Sequence, residues 1–246
     1  MSSAKQYADE LSTLPSEQWP SYLNEHSGLP GRRANLTLMQ TVADTGQRAI
    51  FDDLIRSGEE YLVCCGVVGL GAALAEGDDV EAALRQHAAD HRWRVREAVA
   101  MALQRLGDVD ASRLTALVFD WVDDDHPLVQ RAAVAGICEP RLLTNDRTAT
   151  AARQACRRAT DHLAALPRER RTDPDVRTLR QALGYCWSVA VAAAPEPGIP
   201  AFLALGDAPD ADVAWIVREN RKKKRLAKLL DAGASPTSAL RPTADR

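Results

Sequence analysis

A short motif recurs five times in this chain, and its spacing constrains the fold more than any other feature. Asp90-His-Arg-Trp93-Arg-Val95-Arg96-Glu97 and Asp212-Val-Ala-Trp215-Ile-Val217-Arg218-Glu219 lie 122 residues apart. They share the aspartate, the tryptophan, the valine five residues after the aspartate, and the Arg-Glu pair that follows. Asp124-Asp-His-Pro-Leu-Val129-Gln-Arg131 repeats the aspartate-to-valine interval. Two looser copies are Asp173-Pro-Asp175-Val176-Arg177 and the more apolar Glu59-Glu-Tyr-Leu-Val63-Cys-Cys-Gly66. The marker valines Val63, Val95, Val129, Val176 and Val217 are thus separated by 32, 34, 47 and 41 residues. Such intervals belong to helix-turn-helix units that stack on their neighbours. A degenerate sixth unit is expected around Leu36 to Ala43.

Each marked segment reads as the second helix of a hairpin. An aspartate ahead of it can accept the free N–H groups of the first turn, and Pro127 falls where a helix start tolerates proline. Small residues follow, at Gly66 and Gly69, Ala98 and Ala102, and Ala132, Ala133 and Gly136, and they allow helices to approach closely. Gly66-Val-Val-Gly-Leu-Gly71 imitates a phosphate-binding loop, but it lies inside an apolar run and is read as packing. First helices show in Val80 to Ala88 and Leu114 to Trp121, with apolar residues three and four apart. Breakers at Gly77, Gly107, Pro167 and Pro195 to Gly198 separate the units. No alternating strand pattern occurs, and aromatics make up only 5% of the chain. The expected fold is all-α: a right-handed α-α solenoid of five to six hairpins. Residues 1–34 are expected to form an N-terminal helical cap, 35–230 the repeats, and 231–246 a disordered tail.

The pattern resembles the HEAT-like repeat superfamily, in which an aspartate before the second helix and an arginine just after the valine recur. The resemblance spans residues 35–230 and lapses at Gln130 and Cys64, where the arginine is missing. It implies a binding scaffold rather than an enzyme. Phe119-Asp-Trp121-Val-Asp-Asp-Asp125 also has a distant similarity to a HEAT-like family of DNA glycosylases that excise alkylated bases. There a tryptophan and an aspartate one turn later face a cationic base. In this chain the repeat itself places Asp125 in a turn, and Trp121 reads as a core contact of a first helix. No catalytic residue is assigned.

Charge is unevenly spread. Residues 1–90 hold 6 Lys/Arg against 14 Asp/Glu, and residues 150–230 hold 15 against 9. The most basic stretch runs from Arg218 to Lys228. On one continuous helix, Arg218, Arg221, Lys222, Arg225 and Lys228 would share an arc of roughly 120°. Two readings remain open for this face: phosphate contacts to a nucleic acid, or the polar cap that a terminal repeat requires. Arg153, Arg157, Arg158, Arg168, Arg170, Arg171, Arg177 and Arg180 add to the first. A third reading is a helical partner subunit whose acidic N-terminal half meets a basic protein.

Other chemistry is poorly supported. Asp123, Asp124 and Asp125 read as a solvated turn, and His126 is the one histidine near them. His87 and His91 have the i, i+4 spacing of metal ligands, but Asp90 between them ends one helix and starts the next. Neither a metal nor a cofactor is expected. Cys64, Cys65, Cys138 and Cys186 sit among apolar neighbours; Cys156, in the basic stretch Arg153 to Arg158, is expected to be a surface thiol. Trp93 and Trp215 occupy the same repeat position and are read as structural. The apolar run Tyr61 to Leu74 falls short of the roughly 20 residues of a bilayer span, and residues 1–5 lack the apolar core of a signal peptide. A cytoplasmic protein with no membrane contact is expected, its partner a protein or, alternatively, a nucleic acid.

Overall fold

The computed structural model describes residues 3–207 and 209–234, and every regular element among them is helical. The helices are α1 (Ala4–Thr13), α2 (Trp19–Glu25), α3 (Leu36–Thr45), α4 (Arg48–Arg56), α5 (Glu60–Glu76), α6 (Glu81–Ala88) and α7 (Trp93–Val109). They continue with α8 (Ala111–Val122), α9 (Pro127–Ile137), α10 (Asp146–Ala165), α11 (Pro174–Ala193), α12 (Pro195–Leu203), α13 (Ala211–Arg221) and α14 (Lys224–Ala234). Val63, Val95, Val129 and Val176 fall near the starts of α5, α7, α9 and α11, Val217 lies past the middle of α13, and all five are buried. The degenerate unit at Leu36 to Ala43 is α3.

The packing order follows the sequence. Helices α3, α5, α7, α9, α11 and α13 each pack on the next, while α4, α6, α8 and α10 each pack against the helix that follows them. Side-chain burial rather than capping fixes the helices. In α7 the stripe Val95, Ala98, Val99, Ala102, Leu103 and Leu106 is entirely buried. Each buried leucine or valine contributes roughly 2 kcal/mol, against about 1 kcal/mol for a good cap. Helix α5 is apolar all round and sealed from Tyr61 to Gly71, as a helix without a polar face must be.

The glycines of α5 are notches, as read from the sequence. A Cβ at Gly69 would lie 2.3 Å from the Phe51 ring of α4, and one at Gly66 would lie 2.6 Å from the Phe51 carbonyl oxygen. Gly71 faces the other way, where a Cβ would come within 2.5 Å of the Ala102 Cα of α7. Gly136 of α9 admits Leu103 of α7 in the same manner, at 2.9 Å.

Four local expectations need correction. Gly107 does not break the chain, because α7 runs on to Val109 and Gly107 sits beneath Leu114 and Leu142. The aspartates are turn-formers more than caps. Asp90 and Asp124 accept from the N–H groups of Arg92 and His126, two residues on. In α13 the cap is Asp210, which accepts from Asp212 and Val213, while Asp212 lies inside the first turn. The basic stretch from Arg218 to Lys228 is not one helix, since α13 ends at Arg221 and a turn at Lys222 and Lys223 starts α14. Finally, residues 231–234 extend α14 rather than opening a tail, and 235–246 lie outside the described residues.

Candidate binding surfaces

The arginines of the repeats are used largely inside the fold. Arg94 of α7 reaches Glu60 of α5 at 3.1 Å, and Arg131 of α9 reaches Glu97 of α7 and the Arg96 carbonyl. Arg85 of α6 binds Asp120 in the last turn of α8 and Asp124 in the α8–α9 connection. Of the eight arginines between Arg153 and Arg180, five have carboxylate partners. Arg157 meets Asp161, Arg158 meets Asp123, Arg170 meets Asp173, Arg171 meets Asp210 and Asp212, and Arg180 meets Asp212. Burial would raise the Asp210 carboxyl, but the Arg171 guanidinium and the Val213 N–H hold it below the usual range. The Arg92 guanidinium does the same for Asp90. These pairs tie up individual guanidinium groups, but only Arg158 takes its carboxylate from outside residues 150–230, so the net positive surplus of that stretch is little changed.

The predicted cationic set divides accordingly. Arg218 and Lys222 both lie against Glu219, at 4.0 and 2.6 Å. Arg225 donates to the Tyr185 hydroxyl at 2.8 Å, its guanidinium 5.1 Å from the ring centroid, and Lys223 approaches the same ring. Arg221 and Lys228 are exposed on α13 and α14 respectively. The structure thus brings Arg225 beside a partly exposed aromatic that sequence reasoning missed, but it places Arg221 and Lys228 on separate helices.

The glycosylase-like pair is not assembled for chemistry. Trp121 is fully buried, donates its indole N–H to Glu81 at 3.0 Å, and has the Arg85 guanidinium 5.3 Å from its ring. Asp125 lies outside on the following turn. A base has no open indole face to stack on. Among the described residues no group of three or more His, Cys, Asp and Glu is placed to hold a metal ion.

Cys156 corrects the sequence reading outright. It is fully buried, its thiol 3.6 Å from that of Cys138, because α10 turns this face inward along with Ala152, Ala155 and Ala159. Burial pushes its thiol up, and burial pushes Cys64 up to about 12. All five cysteines are buried. In native buffer none is expected to react with a small aromatic disulfide reagent, whereas all five titrate in denaturant. A single fast thiol in the native protein would refute this.

A large apolar opening lies elsewhere, between α3 and α7. A cavity of about 520 Å³ is lined by Leu36 and Met39 on one wall and Trp93, Ala98 and Met101 on the other. Arg32, Arg33 and Arg94 stand at its edge. Trp93 is 54% exposed and Leu36 56% exposed. Trp93 carries the Arg94 guanidinium 4.6 Å from its ring. A second cavity of about 360 Å³ continues past Trp93 along Arg96, Arg131 and Gln181. Trp215, at the same repeat position, is instead half-buried over Gly184 of α11. The shared structural reading of the two tryptophans therefore fits Trp215 and not Trp93. Helical geometry held the signal: Trp93 sits roughly 150° from the centre of the buried stripe of α7.

No family model matches the chain, and neither does any curated protein. A solved structure described as an engineered protein shares 16% identity over 95% of this chain and 98% of its own, at a TM-score of 0.38. At that score nothing is carried over from it. No helix among the described residues is long and apolar enough to cross a membrane.

Proposed function

We propose that this chain is a right-handed α-α solenoid of five to six HEAT-like hairpins that serves as a non-enzymatic scaffold for another macromolecule. The observation that carries the binding role is the open apolar cleft at Trp93 and Leu36 on helices that belong to the stacked series α3 to α13. Large side chains left half in water along a groove mark an interaction surface. The face is held by packing and inter-unit ion pairs before any partner arrives, so little ordering is needed on binding. The recurrence of the motif at 32 to 47 residues supports the solenoid, as does the sequential contact of its helices.

A second reading, nucleic-acid binding, draws on Tyr185 with Arg225 and Lys223 against its ring, an aromatic flanked by cations. Fluorescence anisotropy of labelled duplex and single-stranded DNA, at about 50 and 200 mM salt, separates the two. The scaffold reading expects no salt-sensitive association. Association that weakens steeply with salt, and that disappears when Arg221, Lys222 and Arg225 are all changed to Glu, would replace it with nucleic-acid binding.

A further inference from the structure

We infer that the cleft between α3 and α7 is the docking groove for an acidic amphipathic segment of a protein partner. This rests on the scaffold reading above and adds the site and the chemistry of its occupant.

The walls of the cleft are set in advance. Helices α3 and α7 both pack on α5, and beyond the cleft Arg105 of α7 crosses to α3, bonding Gln40 at 2.7 Å and pairing with Asp44. That strap fixes the distance between the walls. The buried Met39 lies in one wall and the partly exposed Met101 in the other, and a thioether adapts to the shape of an inserted side chain. Trp93 and Leu36 project at the rim with more than half of their surface in water. Such a slot takes aliphatic or aromatic anchors spaced along one face of a helix. A phosphate backbone, which carries no apolar anchors, leaves these groups unused.

The charge at the mouth selects the sign of the occupant. Residues 1–90 are strongly acidic overall, and their arginines Arg48, Arg56 and Arg85 all have carboxylate partners. Arg32 and Arg33, exposed at the edge of the cleft, have none among the described residues. Arg96, in the adjoining cavity, donates only to the backbone carbonyls of Asp90 and His91. The carboxylates nearby are already engaged, Glu60 by Arg94 and Glu97 by Arg131. An apolar floor is thus bordered by Arg32 and Arg33, with Arg96 in the adjoining cavity, and none of the three has a carboxylate partner among the described residues. The complementary ligand has apolar anchors on one face and Asp or Glu beside them, and its carboxylates gain charge-assisted hydrogen bonds from the guanidinium groups.

The experiment is selection from a random peptide library displayed on phage, run in parallel on the protein, on Trp93→Ala and on the double variant Arg32→Glu/Arg33→Glu. All three positions are exposed, so both variants are expected to fold, with unchanged circular dichroism and melting temperature. The expected winners carry two or three apolar anchors at helical spacing and a net negative charge. Synthesised and labelled, they should bind each variant at least about tenfold more weakly than the parent protein. The double variant should itself enrich neutral or basic peptides. Winners that are basic, or an absence of winners, overturn the inference. Winners that bind all three proteins equally also overturn it, but leave the scaffold reading standing, since another surface then holds them. Displacement of winners by a DNA oligonucleotide would assign the cleft to nucleic acid and overturn both.

Discussion

Replacing Trp121 with alanine is expected to lower the stability of this protein by about 4 kcal/mol, the usual scale for emptying a fully buried tryptophan site. The indole is sealed within the contact between α8 and its neighbours, and its N–H is engaged by Glu81. Glu81 keeps Arg85 at 3.2 Å after the substitution, so the loss comes mainly from the cavity rather than from an orphaned carboxylate. Asp125→Asn, at an exposed turn position, should change stability by less than about 0.5 kcal/mol. Urea denaturation of both variants gives the comparison. If Trp121 instead presented its ring to a damaged base, its removal would spare stability and abolish an excision activity. A Trp121→Ala protein as stable as its parent would therefore reverse the assignment of this residue to the core.

The second large effect is expected at Asn220, a polar side chain with no solvent exposure at the end of α13. Its amide oxygen accepts from the Ser188 N–H at 2.8 Å, and its amide nitrogen donates to the carbonyls of Leu183 and Ile216, both at 2.8 Å. Two of these bonds cross to α11, so Asn220 is a latch between neighbouring units. Asn220→Leu keeps the branching at Cγ in a somewhat larger side chain and removes all three. At about 1 kcal/mol for each bond, Asn220→Leu should cost roughly 3 kcal/mol. Thermal unfolding followed at 222 nm reads the loss. A melting temperature within a degree or two of the parent would show that the bonds contribute nothing net, the amide's desolvation having cancelled them.

The sequence made some elements plain because their cause is local. Periodic apolar residues and a recurring valine identify α5, α7, α9, α11 and α13, and glycine at Gly66 and Gly69 in an apolar run signals close helix approach. What escaped depends on partners remote in the chain. Cys156 looked solvent-facing because its neighbours in sequence are arginines, yet Arg157 and Arg158 point outward while Cys156 points toward Cys138. The run from Arg218 to Lys228 looked like one cationic helix because charge alone does not reveal a turn. Leu226, on α14, is fully buried, and the contacts of α14 with α11 and α13 require the chain to change direction first. Trp93 and Trp215 are alike in motif and differ in exposure because one is covered by α11 and the other stands at an open cleft. That difference is tertiary.

The ion pairs between units have a consequence for how this chain can vary. Arg94, Arg131, Arg141 and Arg158 reach backward by 33 to 35 residues, whereas Arg85, Arg171 and Arg180 reach forward by 32 to 39. Because some units look back and others look ahead, no single template satisfies them all. A unit moved to another place in the order would carry a guanidinium to a neighbour lacking its carboxylate and leave a carboxylate behind without its cation. The stacked helices are therefore not interchangeable parts, and their order is written in the charges that join them.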